Sequence, residues 1–543
     1  MHGLMQDCPL TIDMIFRHVD EHFGDGTVVT NGPGGAARIT YAEWARRTRH
    51  LGGALDTLGI SPHGRVATFA WNSSRHLELY FAVPCTRRVL HTLNVRLFPE
   101  QLAYIANHAE DEVVFVDRSL LGQLWPLVDA MKTVKHVVVM DDGHGQEIPS
   151  DRRIVDYEEL LAAANPASFH VGDENMAASM CYTSGTTGNP KGVVYSHRST
   201  FLHALAVQAP NGFGIGVQDI AMPVVPMFHA NAWGIAQAAP AAGASLVLPG
   251  PMMKPQALAD LIVSERVTFT AGVPTIWQSV FPHLVGRKHQ LRKIACGGSA
   301  LPTALSEAYR DRVGLPIEHS WGMTETHPVA ACSIVPPRYA DASEEDKATL
   351  RVRAGTPLLG VEARIVDAET LRPLPWDDIA TGELQVRGPW CARDYYDPDP
   401  GVTLLTEDGW MRTGDIAAMD PYGSIRVADR TKDLIKSGGE WISSVDLENA
   451  IMSHPKVAEA AVIAISHPKW DERPLACVVL RDGETATAEE IIDHLRPLVA
   501  KWWLPDGVEF IDEIPKTSVG KFSKKDLRAR YADRGPARSE RLG

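Results

Sequence analysis

The sequence predicts an α/β protein with a large N-terminal domain and a small C-terminal domain. Strand-like apolar runs alternate with helical runs through most of the 543 residues, and a stretch rich in charge and glycine begins at Asp429. Such alternation is typical of doubly wound parallel sheets, and such a stretch is typical of a domain boundary. We expect two doubly wound sheets and a small β-barrel-like unit in residues 1–428, followed by a small α+β domain in residues 429–543.

The first sheet is predicted from the N-terminal third of the chain. Apolar residues recur at helical spacing from Ile12 to Val19, and Thr40 suits the N-cap of a helix that follows it. A short strand pair lies between these two helices. Later runs that read as strands cover residues 65–70, 113–117 and 136–140, with helices at residues 41–58 and 76–83.

The alternation returns further along the chain and predicts a second sheet. Its strands are expected at residues 267–270, 291–296 and 317–320. Residues 355–427 change to short alternating runs closed by Gly and Pro turns, which favours a small antiparallel or barrel-like unit. After this unit the chain alternates helix and strand once more, as expected for the C-terminal domain.

Composition excludes several classes of protein. The formal net charge of −14 opposes binding to nucleic acid or anionic lipid over the general surface. Seven cysteines without a C-x-x-C pair indicate reduced thiols in a cytoplasmic protein, and the N-terminus lacks a signal-peptide profile.

Residues 220–253 contain no Asp, Glu, Lys or Arg, but five prolines interrupt them. We therefore expect buried core beside a cavity there, and no transmembrane segment.

The stretch from Thr183 to Gly192 is the strongest chemical signal. It packs four hydroxyl side chains, three glycines and Lys191 into ten residues directly after an apolar run. Glycines let backbone N–H groups approach an anion, hydroxyls donate hydrogen bonds, and the lysine adds a positive charge. A standard P-loop is excluded by the spacing, because Pro190 precedes the lysine and a glycine follows it. The alternative is a flexible surface loop; we favour a phosphate site of another kind.

Two further motifs follow predicted strands of the second sheet. The segment Trp321–Glu325 comes after the strand at residues 317–320, at the edge where α/β proteins bind ligands. An indole can stack on a nucleobase, Thr324 can donate to phosphate, and the carboxylate of Glu325 can bind Mg²⁺. The segment Gly297–Ala300 lets a flat ligand pass close to the backbone. Plain turns would explain either motif equally well.

Three motifs lie nearer the C-terminus. Asp415 lies in a turn and suits ribose hydroxyls. Residues 429–440 form either a shaped loop or a solvated linker. Lys521 ends a glycine-containing loop from which a mobile domain could bring its charge to a polyphosphate, although most surface lysines have no such role.

Taken together and in this order, these segments resemble the adenylate-forming superfamily of acyl-CoA synthetases, luciferases and adenylation domains. The resemblance covers nearly the whole chain and is closest to fatty acyl-CoA synthetases, through residues 225–233, 248–251 and 436–444. It implies an N-terminal adenylation domain (1–428) and a mobile C-terminal domain (429–543) joined at a hinge, Asp429. It also implies three cofactors and co-substrates, namely ATP, Mg²⁺ and CoA.

The resemblance assigns a role to each matching residue. Catalysis is assigned to Lys521, Thr187, Glu325 and His229, and the metal to Thr187 and Glu325. Trp233 and Gly298 would line a substrate tunnel, with Trp233 as its gate. ATP and CoA would be bound by Thr183, Ser184, Gly185, Thr186, Thr187, Gly188, Lys191, Gly298, Ser299, Ala300, Trp321, Gly322, Met323, Thr324, Asp415, Arg430, Lys432, Lys436, Gly438, Gly439 and Trp441.

The implied reaction has two halves. A medium- or long-chain fatty carboxylate attacks the α-phosphate of ATP to give acyl-AMP and pyrophosphate, and the C-terminal domain then rotates so that CoA accepts the acyl group.

One alternative substrate is a short or methylthio-substituted acid. A carrier protein could replace CoA, and a non-catalytic nucleotide-binding relative is disfavoured because Glu325, Asp415 and Lys521 are all present. Many relatives form homodimers, so a homodimer is implied too.

Two departures from the family pattern are visible. Trp321 stands where Tyr is frequent, which keeps the stacking face and loses a hydroxyl; this variant also occurs in enzymes for medium-chain or methylthio-substituted acids. Arg87 and Arg88 stand where small residues are common, and they either disturb packing beside a predicted helix or mark a surface.

Overall fold

The computed structural model describes residues 1–183, 189–438, 440–517 and 521–532. Six residues with predicted roles lie outside the described residues, and those roles stay predictions: Ser184, Gly185, Thr186, Thr187, Gly188 and Gly439.

The described elements confirm the predicted α/β class. The strands are β1 (Thr27–Gly32), β2 (Gly35–Thr40), β3 (Arg65–Phe69), β4 (Val89–Thr92), β5 (Asp111–Asp117), β6 (His136–Met140), β7 (Ile154–Asp156), β8 (Ala177–Thr183), β9 (Lys191–Ser196), β10 (Ile220–Pro223), β11 (Ser245–Leu248), β12 (Phe269–Gly272), β13 (Lys293–Gly297), β14 (Ile317–Gly322), β15 (Val329–Cys332), β16 (Thr356–Pro357), β17 (Glu362–Val366), β18 (Gly382–Arg387), β19 (Met411–Met419), β20 (Ile425–Arg430), β21 (Ile435–Ser437), β22 (Glu440–Ile442), β23 (Val457–His467), β24 (Asp471–Leu480) and β25 (Gly507–Phe510). The α-helices are α1 (Ile12–His22), α2 (Tyr41–Thr57), α3 (Ser74–Cys85), α4 (Pro99–His108), α5 (Leu121–Leu124), α6 (Tyr157–Ala163), α7 (His197–Gln208), α8 (Ile235–Ala241), α9 (Pro255–Ser264), α10 (Pro274–Leu284), α11 (Thr303–Arg312), α12 (Glu344–Arg351), α13 (Ser444–Met452), α14 (Ala488–Leu495) and α15 (Lys524–Arg530).

The first sheet has seven strands in the order β7-β6-β5-β3-β4-β8-β9. Every neighbouring pair is parallel except β8 and β9, which form an antiparallel hairpin at one edge. The central strands carry continuous Val and Phe runs because helices cover both faces of a parallel sheet. The predicted helix start at Thr40 is confirmed, since its side chain accepts a hydrogen bond from the backbone N–H of Glu43 at 3.1 Å.

The second sheet has nine strands in the order β16-β15-β14-β13-β12-β10-β11-β1-β2. The N-terminal hairpin β1–β2 therefore joins strands that come some two hundred residues later, with Val28 paired to Leu246. Residues 220–253 form β10, α8, β11 and their connections, largely buried, as expected. No helix in the described ranges is both long and apolar enough to span a bilayer.

Two smaller sheets complete the described fold. Strands β17 to β20 form a four-stranded antiparallel sheet with β17 and β20 at its edges, which is the antiparallel alternative of the unit predicted for residues 355–427. Strands β21 to β25 form a five-stranded mixed sheet packed with α13 and α14 around its own apolar core. Because β20 continues to Arg430, Asp429 lies inside a strand at the junction of these two sheets.

The two arginines that depart from the family pattern have different environments. Arg88 is buried, and its guanidinium donates to the backbone carbonyl of Ile60 at 3.1 and 2.8 Å and to Asp56 at 2.7 Å. Arg87 is exposed just after α3 with a φ of 62°. Arg88 therefore ties the end of α3 to the segment after α2, and neither arginine disturbs the helix.

Replacing Arg88 with alanine should destabilise the protein. The buried carbonyl of Ile60 would lose a charged donor, which should lower the free energy of unfolding by about 2 kcal/mol. Urea denaturation followed by far-UV circular dichroism measures this. The matched control, Arg87→Ala, should stay within about 0.5 kcal/mol of the parent protein, because that side chain is exposed. Equal stability of the two variants would contradict the assigned role of Arg88.

Candidate active site

The predicted phosphate loop connects the two strands of the β8–β9 hairpin. Thr183 at the end of β8 is paired with Lys191 at the start of β9. Since β8 runs parallel to β4, the turn of this hairpin lies at the carboxyl edge of the parallel strands, where α/β proteins bind ligands. The ammonium of Lys191 lies 5.0 Å from the centre of the Tyr395 ring. Of the predicted loop residues, the structure thus brings Thr183 and Lys191 together.

Trp321, Asp415 and Arg430 form one hydrogen-bonded group. The indole N–H of Trp321 donates to Oδ2 of Asp415 at 2.9 Å, and Nε of Arg430 lies 3.1 Å from Oδ1 of the same carboxylate. The antiparallel pairing of β19 with β20 places Asp415 opposite Arg430. The charge of Asp415 raises the pKa of Arg430. The group joins a flat aromatic ring, which can stack on a base, to a carboxylate, which can accept hydrogen bonds from hydroxyls.

Glu325 is held in place through its backbone and its side chain. Its Oε1 accepts a hydrogen bond from the hydroxyl of Tyr395 at 2.8 Å, and its carbonyl accepts one from the N–H of Ala392 at 2.7 Å. The preceding residue is fixed as well, because the hydroxyl of Tyr195 donates to the carbonyl of Thr324 at 2.7 Å. Glu325 therefore presents an oriented, buried carboxylate beside the stem of the phosphate loop.

The turn at Gly322 needs a glycine. A Cβ atom at this position would lie 1.8 Å from the carbonyl oxygen of Pro328, so any side chain would force the backbone apart. Met323 follows directly, and its backbone N–H donates to the carbonyl of Pro328 at 3.2 Å. These contacts fix the turn between Trp321 in β14 and Thr324 just after it.

Lys521 reaches this site from the far end of the chain. A Cβ atom on Gly298 would lie 3.2 Å from Cε of Lys521 and 3.8 Å from its Nζ. Gly298 has a φ of 83°, a conformation that favours glycine. Burial lowers the pKa of Lys521 to about 8; the charge of Arg430 acts in the same direction, and that of Asp415 opposes it. The predicted catalytic lysine thus lies close enough to Arg430 and Asp415 for their charges to affect its pKa.

Trp233 lies in a five-residue left-handed turn. Residues 230–234 all have positive φ, from 43° to 75°. The Trp233 ring is buried and packs against the end of β13, since a Cβ on Gly297 would lie 3.2 Å from it. Asn231 anchors the turn to β8: its side-chain oxygen accepts from the thiol of Cys181 at 3.0 Å, and its amide donates to Ser179 at 2.9 Å. Trp233 is therefore positioned next to the Gly297–Gly298 pair.

His229 precedes this turn and is uncharged. Burial lowers its pKa to about 3, and the positive charges of Lys521 and Arg96 act in the same direction. A neutral imidazole can donate or accept a hydrogen bond at pH 7, but it supplies no positive charge. In the catalytic role predicted for it, His229 can therefore form hydrogen bonds but cannot neutralise phosphate charge.

The remaining predicted residues have differing surroundings. Ala300 and Lys432 are exposed, and the carbonyl of Ser299 accepts a hydrogen bond from His319 at 3.1 Å. Lys436 and Trp441 face each other across the β21–β22 hairpin, with the ammonium 5.8 Å from the ring centre.

The described contacts tie the β21–β22 hairpin to other parts of the C-terminal region and not to the Trp321–Asp415–Arg430 group. Gly438 has a φ of 62° and lies beneath the ring of Trp470, and the N–H of Lys436 donates to Glu472 at 2.9 Å.

Comparison with known proteins decides the family. Residues 16–396 match the family model described as AMP-binding enzyme, and residues 446–521 match the model of the AMP-binding enzyme C-terminal domain. The chain belongs to the AMP-binding enzyme family. The adenylate-forming resemblance predicted from the sequence is thereby confirmed.

Several curated AMP-binding enzymes are similar over nearly their whole length. The chain is 48% identical to a long-chain-fatty-acid–CoA ligase of Thermus thermophilus over 520 residues, covering 94% of this chain and 93% of the relative. It is 42% identical to a 3-methylmercaptopropionyl-CoA ligase of Ruegeria lacuscaerulensis, covering 98% and 99%. It is 41% identical to a medium-chain-fatty-acid–CoA ligase of Ectopseudomonas oleovorans, covering 98% of each chain. Among solved structures, ATP-bound MatB from Rhodopseudomonas palustris is similar with a TM-score of 0.81 at 26% identity, covering 96% and 99%.

Sequence reasoning missed two residues that support the site of this AMP-binding enzyme. Tyr395 contacts both Glu325 and Lys191, but nothing in its local sequence pattern indicates a link to segments 70 and 204 residues away. Asn231 carried a local signal, because asparagine tolerates the left-handed region better than most residues and it immediately precedes Ala232-Trp233-Gly234.

Proposed function

We propose that this AMP-binding enzyme is an ATP-dependent acyl-CoA synthetase that activates a medium- or long-chain fatty acid as acyl-AMP and transfers the acyl group to CoA. The observation that carries the proposal is the position of Lys521 beside Gly298, at the edge of the Trp321–Asp415–Arg430 group. Full-length similarity to fatty-acid–CoA ligases supports the substrate class.

The first half-reaction is proposed to depend on position and charge. Adenine stacks on Trp321, and the ribose hydroxyls donate to Asp415, which Arg430 holds in place. The residues from Thr183 to Lys191 clamp the β- and γ-phosphates, which leave as pyrophosphate. Lys521 neutralises the charge that develops on the α-phosphate as the fatty carboxylate attacks it. No protein nucleophile is needed, because a carboxylate can attack a correctly oriented phosphate directly.

Glu325 fits the Mg²⁺ ion that the family implies. Mg²⁺ binds oxygen ligands and commonly uses one or two carboxylates together with substrate phosphates and water. The carboxylate of Glu325 is oriented by Tyr395 through one oxygen only, at 2.8 Å, and it lies beside the stem of the phosphate loop. Thr187 is the second proposed ligand. Bound there, the ion would neutralise charge on the β- and γ-phosphates.

The second half-reaction is proposed to follow a rotation of residues 429–543 about Asp429. Lys521 has finished its task once acyl-AMP exists, and rotation would remove it and bring the β21–β22 hairpin to the acyl group. Lys436, Gly438, Gly439 and Trp441 would then bind CoA near Trp233, the proposed gate of the acyl tunnel. The exposed Trp441 ring and the Lys436 ammonium suit the adenine and phosphates of CoA.

An acyl-chain panel tests the proposed function. CoA-dependent AMP formation should be measured with octanoate, palmitate and 3-(methylthio)propionate at equal concentrations. We expect kcat/KM to be highest for octanoate or palmitate. Acyl-AMP formation without any acyl-CoA would refute transfer to CoA and indicate a ligase that loads a carrier protein.

A methylthio-substituted short acid is the second candidate substrate. It is supported by the 42% identity to 3-methylmercaptopropionyl-CoA ligase, which covers nearly all of both chains. The highest kcat/KM with 3-(methylthio)propionate would favour this candidate over fatty acids.

We also propose a cytoplasmic location and a homodimer. No disulfide joins any of the seven cysteines, all of which lie in the described ranges, and this is compatible with a reducing compartment.

A further inference from the structure

Asp429, the proposed hinge, is engaged across the junction that has to rotate. It is buried near the end of β20, and its Oδ2 accepts hydrogen bonds from both the N–H and the hydroxyl of Ser444, at 2.7 and 2.6 Å. One residue earlier, the carbonyl of Ala428 accepts a hydrogen bond from the hydroxyl of Ser443 at 2.6 Å. Ser443 and Ser444 begin α13, so these bonds join the start of that helix to the preceding sheet.

Ser444 is also connected to the segment that carries Lys521. Lys524, the first residue of α15, donates from Nζ to the hydroxyl oxygen of Ser444 at 2.5 Å and pairs with Glu448 at 2.7 Å. Glu448 in turn accepts from the backbone N–H of Val462 at 2.8 Å. A continuous chain of contacts therefore runs from Asp429 through Ser444 to Lys524, three residues after Lys521.

Because the charged groups in this chain of contacts are buried, each of them needs its partner. Burial raises the pKa of Asp429 and of Glu448, while the charges of these two carboxylates overcome the effect of burial on Lys524 and raise its pKa. A buried carboxylate that lost its donors would be costly, so the arrangement favours orientations in which each partner is present.

We propose that the Asp429–Ser444–Lys524 chain is a latch that holds the C-terminal domain in the orientation that delivers Lys521 to the adenylation site, with Ser444 as its positioning residue. The inference rests on the proposed function. The contacts differ in what rotation does to them. Lys524 and Glu448 both lie on the moving side and would travel together. The bond from Ser443 reaches Ala428, on the fixed side, and the bonds from Ser444 hold the hinge residue Asp429 itself, so we expect rotation about Asp429 to break them.

The two half-reactions, measured separately, test the latch. Pyrophosphate release from ATP and octanoate without CoA reports adenylation, and thioester formation from synthetic octanoyl-AMP and CoA reports the second half. Ser444→Ala removes the hydroxyl that joins Asp429 to Lys524, so we expect adenylation to slow about tenfold or more. Thioester formation should stay within about twofold of the parent rate or increase, because that half-reaction does not use this orientation.

The matched control is Ser453→Ala in the same helix. Ser453 is exposed, and its hydroxyl donates to the carbonyl of Ala450 at 2.7 Å, away from the junction. Both half-reactions should be unchanged in this variant. If Ser444→Ala does not fold, Lys524→Gln cuts the same chain at its other end and should give the same split between the half-reactions.

Equal losses in both half-reactions would overturn the latch, because Ser444 would then support only the fold. An unchanged adenylation rate would overturn it as well. These results differ from a failure of the proposed function, in which the parent enzyme would release no pyrophosphate with any carboxylate and form no thioester from octanoyl-AMP.

Discussion

Replacing Lys521 with alanine is expected to slow acyl-AMP formation about a hundredfold or more and to leave thioester formation from supplied acyl-AMP largely intact. The reason is positional: Lys521 lies against Gly298, and in the proposed mechanism its positive charge neutralises the charge that develops on the α-phosphate. The second half-reaction is proposed to follow rotation of the C-terminal domain, which carries this lysine away from the site. Pre-steady-state pyrophosphate release and CoA consumption from synthetic acyl-AMP measure the two rates.

Lys516→Ala is the matched control for Lys521→Ala. Lys516 precedes Lys521 in the same segment, but its ammonium pairs with Glu459 at 2.8 Å on the surface. An exposed pair of this kind contributes at most about 1 kcal/mol, so both half-reactions should be nearly unchanged. Equal losses of both half-reactions in Lys521→Ala would contradict the role assigned to Lys521.

The pH dependence of adenylation offers a second measurement on the same residue. Because burial lowers the pKa of Lys521 to about 8, its charged form predominates below that pH and is lost as the pH rises through it. The kcat/KM for ATP in the adenylation half-reaction should therefore fall on the alkaline side. In Lys521→Arg, the residual activity should lack this alkaline limb, because a guanidinium stays charged over the whole pH range of the assay. An alkaline limb unchanged in Lys521→Arg would assign it to another group.

Asp415→Ala is expected to lower kcat/KM for ATP about a hundredfold. The substitution removes a carboxylate that contacts both Trp321 and Arg430 and that is proposed to accept hydrogen bonds from the ribose. Acyl-AMP carries the same ribose, so use of supplied acyl-AMP should fall too. This distinguishes the variant from Lys521→Ala, in which only adenylation should fall. Steady-state kinetics with ATP and with acyl-AMP provide the comparison.

Asp408→Ala serves as the control for the change of charge. Asp408 pairs with Arg364 at 2.7 Å in an exposed position near the same four-stranded sheet. Its removal should leave kcat/KM for ATP nearly unchanged. If Asp415→Ala kept the parent affinity for both nucleotides, the proposed ribose contact would be wrong.

Local sequence patterns predicted single elements well. The strand at residues 136–140 has the predicted bounds, and the helix predicted at residues 41–58 runs from Tyr41 to Thr57. Patterns of this kind depend on near neighbours in the chain, such as the cap at Thr40 and the alternation of apolar residues. The strand predicted at residues 267–270 runs instead from Phe269 to Gly272, because its ends are set by pairing with β10 and β13.

Functional residues divide along the same line. Roles were predicted for residues in compact motifs, such as Lys191, Glu325 and Lys521, because the adjacent residues indicate a chemistry. No role was predicted for Tyr395 or Ser444, because each acts through a contact with a residue distant in the chain. Trp321 belongs to both groups: its aromatic face was predicted, but its hydrogen bond to Asp415 was not.

The sequence by itself determined the α/β class and the family, and it predicted a phosphate site at residues 183–192 and a catalytic lysine from the C-terminal region. Only the tertiary structure decided that β1 joins the second sheet beside β11, and that Asp415, Trp321 and Lys521 share one site. The physical reason is that hydrophobic periodicity and turn residues specify which elements form, whereas strand order and packing decide which distant side chains meet.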